Sequence, residues 1–173
     1  MERTKEENKR LCERYPFLIP WNRFTGKRIT EAQDGGYFLH NPEEIPEYDY
    51  EYTELDDLPE GWVKAFGGQM CEEIRQALIE DGDLERWRIV QAKEKFGRCV
   101  IYDNGVKDGS RVHDILRKYE DISMRTCIVC GKPATQITTG WISPFCDECC
   151  VNCGFGKSVP IDEYFKEFEE DKE

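Results

Sequence analysis

Apolar side chains recur at every fourth position from Trp62 through Phe66, Met70 and Ile74 to Leu78, with Ala77 extending the same face. That spacing predicts an amphipathic helix ending near Asp81-Gly82, where the glycine favours a stop. Trp87 to Ala92 and Arg98 to Tyr102 carry branched and aromatic residues and predict two strands. Lys93-Glu94-Lys95-Phe96-Gly97 joins them, and Asp103-Asn104-Gly105 marks a turn after the second. A second helical stripe follows from near Ser110: Val112, Ile115, Leu116, Tyr119 and Ile122. Helix, hairpin and helix predict a small α+β core over residues 61–125, with both stripes buried on one face of a short antiparallel sheet.

The flanks are less regular. Residues 2–14 are dominated by Glu, Lys and Arg and predict a helix with Leu11 as its main apolar contact. Pro16 and Pro20 bracket Phe17-Leu18-Ile19, which predicts a short extended piece packed on the core. Thr25-Gly26-Lys27 and Asp34-Gly35-Gly36 are turn signals. Residues 41–60 hold Pro42, Pro46 and Pro59 and the alternating Tyr48, Tyr50 and Tyr52. They predict an extended edge segment or a linker, with the tyrosines on one face and the acidic residues between them facing water. Residues 1–60 thus form an N-terminal helix and an extended acidic and aromatic segment. From Ser158 to Glu173, Ile161, Phe165 and Phe168 recur at helical spacing behind Asp162 as N-cap. This predicts an acidic C-terminal helix over residues 158–173 that docks on the domain or on a partner.

Charge sharpens the division. The chain carries a net −12, and residues 41–60 hold nine acidic side chains and no basic one. Residues 162–173 hold seven acidic and two basic side chains. Two solvated acidic stretches account for this, and a surface imitating nucleic-acid phosphates is the sharper alternative. No strongly basic footprint exists, so nucleic acid is not expected as a partner. The longest strongly apolar run, Cys99-Val100-Ile101-Tyr102, is too short to cross a bilayer. The opening residues Met1–Glu7 lack the apolar core of a secretion signal, so we expect a soluble, cytoplasmic protein with no membrane association.

In a reducing compartment clustered cysteines are more often metal ligands than disulfides. Six of the chain's nine cysteines fall between residues 127 and 153. Cys127-Ile128-Val129-Cys130-Gly131 has the outline of a metal knuckle, its glycine supplying the tight turn. Cys146-Asp147-Glu148-Cys149 completes C-x2-C-x15-C-x2-C, the spacing of a tetrahedral four-cysteine zinc site. The residues between, Gln136 to Ile142, predict a hairpin turning near Gly140 that brings the knuckles together in a zinc-ribbon-like module over residues 126–157. A third pair, Cys150 and Cys153, is the alternative second half. Four thiolates fill a tetrahedron, so one structural Zn2+ is expected rather than a catalytic one. Cys12, Cys71 and Cys99 are isolated and expected as small buried side chains.

No catalytic constellation accompanies the site. Gly156-Lys157-Ser158 lacks the strand and the upstream glycine of a phosphate-binding loop, Val151 standing where that glycine belongs. His40 and His113 are the only histidines. His113 is expected to be exposed or satisfied, and nothing supports pairing it with Cys99 as a nucleophile. Lys93, Lys95 and Arg98 around Phe96 form a small basic turn, the one place suggesting phosphate contact.

The run Gln91-Ala92-Lys93-Glu94-Lys95-Phe96-Gly97, the strand after it, the Cys127-x2-Cys130-Gly131 knuckle, the Gly140-Trp141 step and the second C-x2-C resemble a group of small bacteriophage and prophage proteins. The resemblance covers residues 61–150 and departs at Arg98-Cys99-Val100 and at the third C-x2-C. It implies a phage-type setting and no chemistry. The sequence therefore points to a zinc-stabilised, non-enzymatic protein acting through protein–protein interaction. An acidic nucleic-acid-mimic inhibitor, a nucleic-acid-binding zinc ribbon and a small hydrolase or nuclease are the alternatives.

Overall fold

The computed structural model describes residues 3–21, 48–152, 154 and 156–170, the last four by backbone alone. The turns at Thr25-Gly26-Lys27 and Asp34-Gly35-Gly36, together with His40, Cys153 and the Phe168 side chain, lie outside the described residues. The fold is mixed: helices with small antiparallel sheets. Two compact units share the longer elements. One comprises residues 1–57, 71–92 and 101–113, the other residues 58–70, 93–100 and 114–173.

In the first unit, helix α1 (Lys5–Arg14) starts at a capping box, Thr4 accepting from the Glu7 N–H while the Glu7 carboxylate takes the Thr4 N–H. Its buried residues are Asn8 and Cys12, whereas Leu11 is only half-buried. Asn8 is accommodated because its amide donates to the carbonyls of Tyr50 and Glu51 and accepts from Arg3. Pro16–Leu18 forms a 3-10 turn, not the extended piece expected, because proline's fixed φ suits the first helical position. Phe17 is fully buried and packs edge-on against Trp87, ring centroids 5.3 Å apart.

Tyr48, Tyr50 and Tyr52 do not share a strand face. Tyr50 takes a left-handed backbone, φ 64°, and the chain turns into a 3-10 segment at Glu54–Asp57. Asp49 and Glu51 face water as expected, but Glu54 is buried. Among the described residues here, Asp49 pairs with Lys5 at 2.5 Å and Asp56 with Arg3.

The predicted long helix comes in three pieces: α2 (Glu60–Trp62), a π-helical turn (Val63–Gly67) and α3 (Gly68–Asp81). Its stripe is buried throughout, Trp62, Phe66 and Met70 belonging to the second unit and Ile74, Ala77 and Leu78 to the first. Gly82, φ 66°, stops it: the Gly82 and Asp83 N–H groups return to the carbonyls of Ile79 and Leu78.

Strands β1 (Ile89–Lys95) and β2 (Arg98–Asp103) pair as the expected hairpin, but the connection is the two-residue turn Phe96-Gly97. Both residues have positive φ, 51° and 77°, the twist that a right-handed ribbon needs. Helix α4 (Val112–Ser123) buries Val112, Ile115 and Tyr119, while Leu116 is half-buried and Ile122 exposed.

The second unit ends in a three-stranded antiparallel sheet, β4 (Pro144–Phe145), β3 (Gln136–Thr138), β5 (Ser158–Pro160). The register pairs Gln136 with both Phe145 and Pro160. Helix α6 (Ile161–Glu170) follows β5 directly, so Asp162 sits in its first turn instead of capping it, and holds Arg125 at 3.2 Å. Ile161 docks the helix among Met124, Ala134 and Ile137.

Candidate metal centre

The first knuckle is built by local hydrogen bonding. The Cys127 N–H reaches the Lys132 carbonyl at 2.8 Å, and the Gly131 N–H reaches the Cys127 carbonyl at 3.0 Å. Gly131 has φ 79°, which its lack of a Cβ permits. The second half grows from the sheet: β4 delivers Cys146 as N-cap of the short helix α5 (Asp147–Cys150), and Cys149 lies three residues on, on the same side. The β3–β4 hairpin thereby carries the halves together.

The four sulfurs of Cys127, Cys130, Cys146 and Cys149 all lie within 4.8 Å of one another, and those of Cys130 and Cys146 are 3.6 Å apart. A tetrahedral ion bound at about 2.3 Å from each sulfur would space them by roughly 3.8 Å. Sulfur–sulfur bonding would need about 2.05 Å, and the described cysteines are free thiols. The residues therefore fit a metal ion. Cys150 packs half-buried beside this group but is not one of the four grouped sulfurs. Its proposed companion Cys153 is outside the described residues.

Electrostatics separates the four thiols. Burial raises Cys127, but the backbone N–H groups of Cys146, Cys130 and Val129 aimed at its sulfur outweigh that and bring it down to about 7. Cys149 is pushed up, first by burial and then by the neighbouring Cys146, Cys130 and Cys127 thiols. The Lys132 N–H lowers Cys130, but burial and the Cys127 and Cys146 thiols together leave it raised. Four sulfurs this close resist ionising together, and a bound cation is what would relieve them.

A contact the sequence did not announce braces the knuckle from behind. The Gly61 N–H donates to the Ile128 carbonyl at 3.1 Å, and the Trp62 indole N–H donates to the Thr126 carbonyl at 3.0 Å. A Cβ on Gly61 would lie 2.3 Å from the Cys127 carbonyl oxygen, and one on Gly131 would lie 2.6 Å from the Gly61 oxygen. The first turn of the helical run is thus seated backbone-to-backbone on the metal loop. The only sequence signal was a glycine placed where an N-terminal helix turn does not need one.

The remaining candidates separate cleanly. His113 is exposed and pairs with Asp103 at 3.0 Å. Cys99 is buried, and burial pushes its thiol up to about 12, with Glu120 adding to it, which makes it a poor nucleophile. Arg98 of the basic turn is held by Glu120 at 3.5 Å and Asp121 at 3.7 Å. Among the described residues no helix is long and apolar enough to cross a membrane. Comparison with protein-family models, with curated proteins and with solved structures returns no match to the chain.

Proposed function

We propose that the chain binds one structural Zn2+ through Cys127, Cys130, Cys146 and Cys149 in a zinc-ribbon-like module, and acts without catalysis by binding another protein. The observation that carries this reading is the four-thiol cluster itself. Zinc favours tetrahedral thiolate coordination, and four sulfurs complete that sphere, leaving no position for water or substrate. Binding of this kind contributes about 10–16 kcal/mol of apparent free energy at neutral pH, enough to fold the loops around it. A zinc-built, rigid surface suits recognition more than turnover. The phage-type setting, drawn from the order of hairpin and knuckles, belongs to the same proposal and adds no chemistry. The acidic-mimic alternative draws less support, since Asp49 and Asp56 are engaged by Lys5 and Arg3 and Glu54 is buried.

Native mass spectrometry of freshly purified protein tests the metal, with one zinc per chain expected. A metal-free chain, or sulfurs joined as disulfides, overturns the reading. Proximity labelling in cells tests the partner, and reproducible recovery of no protein counts against it.

A further inference from the structure

Resting on the protein-binding reading, we propose that the groove between the β1–β2 turn and the β3–β4 turn is the docking site. Its occupant is an acidic peptide segment that inserts one bulky apolar side chain. The groove is lined by Lys93, Glu94, Lys95 and Phe96 on one hairpin tip and by Gly140, Trp141 and Ile142 on the other. The tips lie close: a Cβ on Gly97 would stand 3.4 Å from the Ile142 Cγ2 and 3.5 Å from Pro144. The walls are therefore set by packing within one unit and need not be assembled by a partner.

Two aromatic rings at this place are left in water. Phe96 is 67% and Trp141 64% exposed, whereas Trp62, Trp87, Phe17 and Phe145 are fully buried. Phe96 also holds φ 51°, a left-handed backbone that a bulky aromatic rarely adopts. Asparagine or glycine would form the same turn with less strain. An exposed aromatic kept at a strained position serves neither the core nor the turn, and recognition is what accounts for it.

Charge selects the occupant. Lys93 and Lys95 line the groove. The Glu94 carboxylate accepts the Gly97 N–H at 2.7 Å. Lys95 has no acidic partner among the described residues, in contrast to Lys5 and Lys132, which pair with Asp49 and Glu148. Two lysines against one glutamate leave the groove lining net positive on a chain whose net charge is −12. A long polyanion would meet the rest of that charge, while a short acidic segment meets only what lies within a Debye length, about 8–10 Å. The cavity of about 280 Å³ falls just below the range of ligand pockets, about 300–1,000 Å³, and suits one aromatic or branched side chain better than a row of stacked bases. The alkyl stems of Lys93 and Lys95 complete its apolar lining while the Lys95 ammonium group reaches a flanking carboxylate.

The test is peptide display on the zinc-loaded full chain, followed by fluorescence anisotropy with the most enriched peptide. The expected winners carry Asp or Glu on both sides of an aromatic residue or leucine. Phe96→Asn, chosen because asparagine tolerates the left-handed turn, and Trp141→Ser should each weaken binding by about tenfold or more. Lys95→Glu should weaken it several-fold, and added salt should do the same. The groove assignment is overturned by basic or anchorless winners, or by an oligothymidylate that binds more tightly than the peptide. It is also overturned if Phe96→Asn and Trp141→Ser retain full affinity; acidic winners insensitive to these variants would place protein binding elsewhere on the chain and leave the broader reading intact. No enrichment at all, on a chain that mass spectrometry shows to hold zinc, defeats the groove alone. A chain without zinc defeats the metal reading instead.

Discussion

A methyl group added at Gly61 would sit 2.3 Å from the Cys127 carbonyl oxygen and 2.6 Å from that of Ile128. Ordinary contact begins near 3.4 Å, so the helix turn or the knuckle must retreat by roughly 1 Å. Neither side is a flexible side chain that can swing away. Both are backbone, joined by the Gly61 N–H to Ile128 carbonyl hydrogen bond. Overpacking of this kind costs about 1–3 kcal/mol, and the strained hydrogen bond adds about 1 kcal/mol. Alanine recovers about 1 kcal/mol through its better helix propensity. Gly61→Ala should therefore destabilise the zinc-loaded protein by about 2 kcal/mol and loosen its hold on zinc. Gly68 is the internal control, because a Cβ there meets nothing within 4 Å. Gly68→Ala should stabilise by about 0.5–1 kcal/mol and leave zinc binding unchanged. Urea unfolding followed by tryptophan fluorescence gives the first quantity, and competition against a chromogenic chelator gives the second. If Gly61→Ala unfolds at or above the wild-type midpoint, the helix does not rest on the knuckle and the reasoning fails.

Gly131→Ala should cost more than Gly61→Ala, since it adds a disfavoured φ of 79° to a clash with the Gly61 oxygen at 2.6 Å. The double variant should fall short of the sum, because both act on one contact; full additivity in urea melts would refute the shared seat. Cys146→Ser should abolish stoichiometric zinc by mass spectrometry while Cys150→Ser retains one ion, and the reverse result would move the second half of the site to the third pair. Glu54 has its carboxyl pushed up to about 8 by burial, helped by Asp57 and opposed by the Trp21 N–H, against an ordinary 4.5. The folded chain thus keeps a proton that the unfolded chain loses, so stability falls as pH rises from about 4.5 to about 8. Glu54→Gln should remove that slope, gaining up to about 4 kcal/mol at pH 8 and almost nothing at pH 4 in denaturant melts.

What the sequence disclosed is what short-range rules govern. The stripe from Trp62 to Leu78, the stop at Gly82 and the hairpin around Phe96 each follow from spacing or from one backbone preference. The four sulfurs were legible for the same reason, since two intervening residues and a glycine suffice to aim a pair at one ion. Readings failed where a distant partner set the outcome. Asn8 became buried in α1 because Arg3 and the carbonyls of Tyr50 and Glu51 satisfy it. Three tyrosines at strand spacing were broken by the left-handed Tyr50. The strand Ser158–Pro160 is too short to show alternation and exists because β3 offers it an open edge. The five-residue connection shrank to two because the ladder extended through Lys95, moving the turn onto a phenylalanine.

The two glycines behind the metal loop show why a metal motif alone understates its site. Gly131 is demanded locally, by the tight turn after Cys130, and the Cys-x2-Cys-Gly pattern announces it. Its tight turn brings the backbone so close to the start of the helical run that Gly61 is demanded as well, although that residue precedes the first ligand, Cys127, by more than sixty positions. The Trp62 indole then ties the same turn to Thr126, just ahead of that ligand. A cation closing the four sulfurs would consequently fix the helix start as well as the loop. Loss of the metal should release both, and the first amides to lose exchange protection on chelation should include those of Gly61 and Trp62 beside Cys127 and Ile128.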